Sequence, residues 1–254
     1  MTSGPKPTIL IVPGAWHSSV HMGPLIEHLS SYSYPSVALD LPTGSAPDKD
    51  LYDDTRYITS HLEEIVSQQG KEVIMVLHSY GGIPGSSAAR SFVRKERAAK
   101  RKEGGVIGVV YMSAWVLPAG KTVMDAMEGL DFDWAKIDGP TATPTNPIHY
   151  LYNDLPAPTA EYYVSQLKPF CVIANTQPVT ADCLGGVVPT AYIVCEKDNT
   201  IPARLQEKNA RNLGEGANVV RFDSGHSPYL SRVEEVGKVV REMAGEEVGV
   251  GVAG

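Results

Sequence analysis

A run of strand formers, Val73-Ile74-Met75-Val76-Leu77, ends abruptly in His78-Ser79-Tyr80-Gly81-Gly82. β-Branched and apolar residues that suit a buried strand give way to two glycines, so the chain turns sharply and Ser79 falls at the apex of a strand–turn–helix unit. In that geometry the serine hydroxyl stands clear of the sheet, with backbone N–H groups and a helix N-terminus beneath it. The usual form of such a turn is G-x-S-x-G, small on both sides because backbone passes close by. Here Gly81 supplies the second small position, and Leu77 stands at the first.

A serine so placed needs a base and an acid, and in chain order these follow as acid then histidine, each after a late strand. Residues 189–195, Pro-Thr-Ala-Tyr-Ile-Val-Cys, form a short apolar run that ends in Glu196-Lys197-Asp198-Asn199-Thr200-Ile201-Pro202. Asp198 thus lies at the carboxyl end of a buried strand, where open α/β sheets carry their functional residues. Asn218-Val219-Val220-Arg221-Phe222 reads as the last strand, and Asp223-Ser224-Gly225-His226-Ser227-Pro228 as its loop. Histidine titrates near neutrality, so His226 can take the serine proton and return it to a leaving group, while a carboxylate fixes its tautomer. Glu196 is a competing acid two positions before Asp198. His78 is expected to pack within the turn, because its side chain leaves in another direction.

Acyl transfer also needs two N–H donors aimed at the developing oxyanion. One comes from the residue after the nucleophile, Tyr80, and one from the loop after the first strand, Pro13-Gly14-Ala15-Trp16-His17, where Ala15 is the candidate.

These segments resemble the α/β-hydrolase superfamily, and within it the branch of small methylesterases and hydroxynitrile lyases that includes salicylate-esterase-like proteins. The likeness runs from residue 8 to about 243. The branch's early loop, H-G-A-x-H, is matched by Pro13-Gly14-Ala15-Trp16-His17, with Pro13 in place of the first histidine. Its acid turn, C-E-x-D-x-x-I-P, is matched by Cys195-Glu196-Lys197-Asp198-Asn199-Thr200-Ile201-Pro202, which favours Asp198 over Glu196. The resemblance implies an α/β-hydrolase fold with a Ser79–Asp198–His226 triad. Lyases of the branch carry a threonine in the early loop and a lysine after the histidine. Gly14 and Ser227 occupy those positions here, so hydrolysis is the implied reaction.

Alternating apolar runs and helical patterns predict an α/β chain with a mostly parallel, doubly wound sheet. Strands are expected near 8–12, 36–40, 73–77, 106–112, 190–195 and 218–222, with helices near 22–31, 55–69, 82–100, 202–212 and 233–243. At 254 residues, one domain with a sizeable core is expected. Residues 117–188 are too long for a loop and are expected to form an inserted, mainly helical cap, with a turn-rich excursion at 139–147. Its aromatic and methionine side chains, Met124, Met127, Phe132, Trp134, Tyr150, Tyr152, Tyr162, Tyr163 and Phe170, are divided between packing and lining an apolar pocket. The candidate substrate contacts are Trp16, His17, Trp115, Met124, Trp134 and Tyr162.

A net charge of −7 and a sequence pI near 5.5 argue against nucleic acid or an anionic membrane as partner. The basic run 90–102 is expected on the exposed end of the helix that follows Ser79. The N-terminus lacks the apolar stretch of a signal peptide, and Cys171, Cys183 and Cys195 show no metal-ligand spacing, so a cytoplasmic location is expected. No cofactor and no metal are expected, since neither a phosphate-binding glycine loop nor a histidine cluster occurs. The tail 245–254 has little to pack and is expected to fray. The partner is then a small-molecule substrate, and the chain a monomer or homodimer. An ester of a small apolar or aromatic molecule is the leading substrate. Lactone chemistry or C–C cleavage with the same triad, or a ligand receptor built on the same pocket, are the alternatives.

Overall fold

The computed structural model describes residues 5–127 and 134–248. The chain opens with β1 (Thr8–Val12), α1 (Gly23–Ser31), β2 (Ser36–Ala38) and α2 (Leu51–Leu62). It continues through β3 (Glu72–His78), α3 (Gly82–Ala89), α4 (Arg94–Ala99) and β4 (Gly105–Met112). The insertion carries α5 (Val123–Ala126), β5 (Ala135–Asp138), β6 (Thr141–Pro144), α6 (Pro147–Leu151), α7 (Ala157–Ser165) and β7 (Phe170–Cys171). β8 (Thr190–Cys195), α8 (Ala203–Arg211), β9 (Asn218–Phe222), α9 (Pro228–Ser231) and α10 (Val233–Met243) complete it.

Six strands form one parallel sheet in the order β2-β1-β3-β4-β8-β9. This is the α/β-hydrolase fold. Its central strands are unbroken apolar runs because helices cover both faces, and every residue of β1 and β8 is buried. Two apolar clusters result. Leu10, Val12, Met75 and Leu77 pack on one side with α2 and α3, and Ile9, Ile11, Ile74 and Val76 on the other with α1 and α10. From β1 the chain goes outward to β2, then returns to the other side of β1 with β3. Loops leaving β1 and β3 therefore meet at the carboxyl edge of the sheet, where the winding reverses and a crevice opens.

The single helix expected over 82–100 is broken. Val93 is extended (φ −56°, ψ 122°) and bridges Val106 in parallel, a pairing with a strand thirteen positions later that overrides local helical propensity. Part of the basic run also turns inward. Arg97 is buried, donating to Glu103 O at 2.9 Å with its guanidinium over the Phe92 ring.

In the insertion, the segment 139–147 is not a loose excursion. Its first half closes the hairpin between β5 and β6, with Gly139 at φ +57°, and Pro147 opens α6. β7 completes a three-stranded antiparallel sheet. The start of the tail is held rather than frayed. Glu246 accepts from Arg241 at 2.6 Å and from the Tyr34 hydroxyl at 2.9 Å; residues 249–254 lie outside the described part. Among the described residues, no helix is long and apolar enough to cross a membrane.

Candidate active site

Ser79 directly follows β3 with φ +51°, a left-handed conformation that a non-glycine residue holds only where its surroundings enforce it. The turn forces backbone against backbone. A Cβ on Gly81 would lie 2.5 Å from Pro13 O, so only glycine lets the early loop approach. Leu77, which stands where a glycine is usual, sends its side chain over Gly85 of α3 and fills the space a side chain there would need.

His226 lies in the loop after β9, 1% exposed, and its Nδ1 donates to Asp198 Oδ2 at 2.7 Å. A carboxylate only accepts, so Nδ1 carries the proton and Nε2 is left with a lone pair. Asp198 is also anchored to the loop that follows it, its Oδ1 accepting from Thr200 N at 2.7 Å and Ile201 N at 2.9 Å. Gln206 Nε2 donates to Oδ2 at 3.1 Å, and the hydroxyl of Ser113, just after β4, donates to the same oxygen. Asp198 thus holds its own loop and the His226 ring together. Glu196 points elsewhere, 3.6 Å from the Arg221 guanidinium.

His78 packs beneath. It is fully buried, its Nε2 donates to His226 O at 2.9 Å, and burial with the neighbouring His226 holds its pKa well below the usual value. It stays neutral and bound to backbone.

Ser79 opens into a cavity of about 30 Å³, room for roughly one water. Trp16, Trp115 and Trp134 line it with Val123, Met127 and Ile201. Ala15 and Tyr80 lie at its floor beside Ser79. Tyr80 is the second residue of the short helical turn Ser79–Gly81, in its first turn, where N–H groups have no acceptor within the helix. Trp16 has φ +66°; its Nε1 donates to Ala142 O at 2.8 Å and its own carbonyl accepts from Lys168 N at 2.9 Å, which ties the early loop to the insertion.

Three expected substrate contacts fall outside this cavity. His17 turns under the loop, its Nδ1 donating to Ala15 O at 2.8 Å, with its ring edge-on to His21 and His78. Met124 and Tyr162 point outward, 43% and 53% exposed, while Met127 and Tyr163 take the inward positions. Phe132 lies outside the described residues.

Two groups at the site carried no signal in the sequence. Ser113 directly follows β4, and nothing in its local sequence marks it as a partner of Asp198. Asp54 of α2 is fully buried and accepts the Tyr80 hydroxyl at 2.8 Å; desolvation pushes its pKa up to about 6. Nothing separates Asp54 from Asp53 in the sequence except a phase that a twelve-residue helix shows weakly. Among the described residues, no group of three or more His, Cys, Asp or Glu side chains is arranged to hold a metal ion. A roomier cleft, about 630 Å³ near Gly70 and Glu103, is at the other end of β3 and shares no residue with the site.

The family model described as alpha/beta hydrolase family matches residues 9–239. A probable hydrolase, R7, of Phoma sp. is 33% identical over 259 residues, covering 94% of this chain and 99% of its own. The alpha/beta hydrolase nvfD of Aspergillus novofumigatus is 29% identical over 250 residues, covering 96% and 98%. Among solved structures, the methylesterase MES16 of Arabidopsis superposes with a TM-score of 0.71 at 18% identity, covering 94% of this chain and 99% of its own. That likeness concerns the fold.

Proposed function

The chain belongs to the alpha/beta hydrolase family, and on that premise we propose that it is a methylesterase-like serine hydrolase cleaving a carboxylic ester of a small apolar or aromatic molecule. One observation carries the reading: Ser79, held at φ +51° at the floor of a tryptophan-lined cavity, belongs to the same sheet edge as a buried His226–Asp198 pair whose free nitrogen is a base.

In this mechanism Ser79 Oγ attacks the ester carbonyl and His226 Nε2 takes its proton. The tetrahedral oxyanion rests on the N–H groups of Ala15 and Tyr80, and Asp198 stabilises the imidazolium. Collapse expels the alcohol, which leaves with the proton from His226, and an acyl-enzyme remains on Ser79. Water, deprotonated by His226, then attacks the acyl carbon; the acid departs and Ser79 regains its proton. Trp16, Trp115 and Trp134 favour a flat or apolar acyl portion. The three cysteines, all free, favour a reducing compartment such as the cytoplasm.

Aryl-ester turnover tests the reading. Ser79→Ala should lower kcat by several powers of ten, on the order of 10⁴ or more. A folded Ser79→Ala protein with undiminished turnover would refute it.

A further inference from the structure

Tyr80 contributes two separate things to the site. Its backbone N–H lies beside Ser79, and its side chain leaves in the opposite sense, into the core, where the ring is 2% exposed and packs edge-on against Phe170 with centroids 4.7 Å apart. The hydroxyl at the far end meets Asp54, at 2.8 Å from Oδ2. The same carboxylate accepts from Thr43 Oγ1 at 2.7 Å and Thr43 N at 3.0 Å, so among the described residues its hydrogen-bond partners are neutral donors and none is a cation. Burying a carboxylate without a counter-charge is costly, and the three hydrogen bonds recover only part of that cost. Packing alone would be served as well by an apolar residue.

From this arrangement we propose that Asp54 is a positioning residue for the oxyanion site: by holding the Tyr80 hydroxyl it fixes the peptide between Ser79 and Tyr80, and with it the N–H that meets the developing negative charge. The inference rests on the serine-hydrolase reading above. Its physical basis is preorganisation. An oxyanion donor is effective because it is already aimed when the charge appears, and small misplacements cost large factors in rate. Ser79 sits in a backbone conformation that must be enforced from outside, and the Tyr80 side chain is a rigid strut on its C-terminal side as His78 is on the other. Anchored at the ring by Phe170 and at the hydroxyl by Asp54, it cannot swing. Thr43, in the short helical turn Pro42–Gly44 that follows β2, closes the clamp from the other side. Asp54 itself touches no substrate atom; it acts through Tyr80.

The test compares the full-length protein with Asp54→Asn, Tyr80→Phe and the double variant, measuring kcat and KM on an aryl ester and the rate of Ser79 labelling by a fluorophosphonate. Tyr80→Phe keeps the backbone N–H and the ring and loses only the hydroxyl. Each single variant should lower kcat about ten-fold with KM within about two-fold, because the lost interaction serves the transition state. The double variant should be no worse than either single one, since both cut the same link. Wild-type kcat in Tyr80→Phe, a change confined to KM, or additive losses would overturn the proposal. Should Asp54→Asn fail to fold, Tyr80→Phe alone decides by the same criterion. Wild-type protein that leaves Ser79 unlabelled would instead refute the serine-hydrolase reading, and the positioning role with it.

Discussion

The Leu77 side chain occupies the space that a side chain on Gly85 would need, eight residues later and one helix turn into α3. The departure from a glycine before the nucleophile is thus compensated across the strand–helix corner: bulk on one side is matched by its absence on the other. Leu77 is fully buried, so it has little room to yield. Gly85→Val should destabilise the fold by about 1–3 kcal/mol through overpacking. Adding Leu77→Ala should remove much of that penalty, making the double variant less destabilised than the sum of the single ones in urea unfolding. Strictly additive losses would mean that the two side chains do not share the space.

Ser113 donates to the carboxylate oxygen that also receives the His226 proton donor, and its oxygen lies 3.3 Å from His226 Nδ1. It braces the acid without reaching the substrate. Ser113→Ala leaves Asp198 with Thr200, Ile201, Gln206 and His226 as partners, so the loss should be modest. A fall in kcat of roughly three- to ten-fold with an unchanged KM is expected, equivalent to about 0.7–1.4 kcal/mol, the net worth of one ordinary hydrogen bond. Unchanged kcat would show that the other four partners suffice.

The parts of this arrangement that could be read in advance are those set by local rules. Apolar runs mark the central strands that Ser79 and Asp198 follow, and the short β-branched run 218–222 marks the edge strand that His226 follows. What escaped depends on contacts far apart in the chain. Val93 carries no proline or glycine signal, and only its pairing with Val106 breaks the helix. A four-residue helix cannot show a period, so Met124 and Met127 could not be told apart, and the structure turns Met127 inward. His17 sits in the loop that builds the oxyanion site, yet its ring faces inward because Ala15 O and the His21 and His78 rings surround it. Asp54 finds its role through Thr43 and Tyr80, eleven residues before and 26 after it.

The buried histidines make the fold acid-sensitive. Burial first, and then the neighbouring histidines, hold the His17 and His78 pKa values well below 6.5. In the unfolded chain both take up protons below about pH 6.5, while in the folded protein they remain neutral. Their stabilising contribution is therefore complete above that pH and is lost progressively as pH falls below it toward the depressed folded-state values. In urea unfolding between pH 7.5 and 5.5, His17→Gln should show a shallower decline than wild type, by the slope of about one proton. Identical slopes would mean that His17 does not titrate differently on unfolding.

The central claim is that Ser79 is a nucleophile made reactive by His226. Labelling with a fluorophosphonate, followed by mass spectrometry to locate the adduct, addresses it directly, with Ser79→Ala and His226→Ala proteins beside the wild type. The account predicts a single adduct on Ser79 that is absent from Ser79→Ala and strongly slowed in His226→Ala. A folded wild-type protein that forms no adduct, or one that labels equally well without His226, would contradict it.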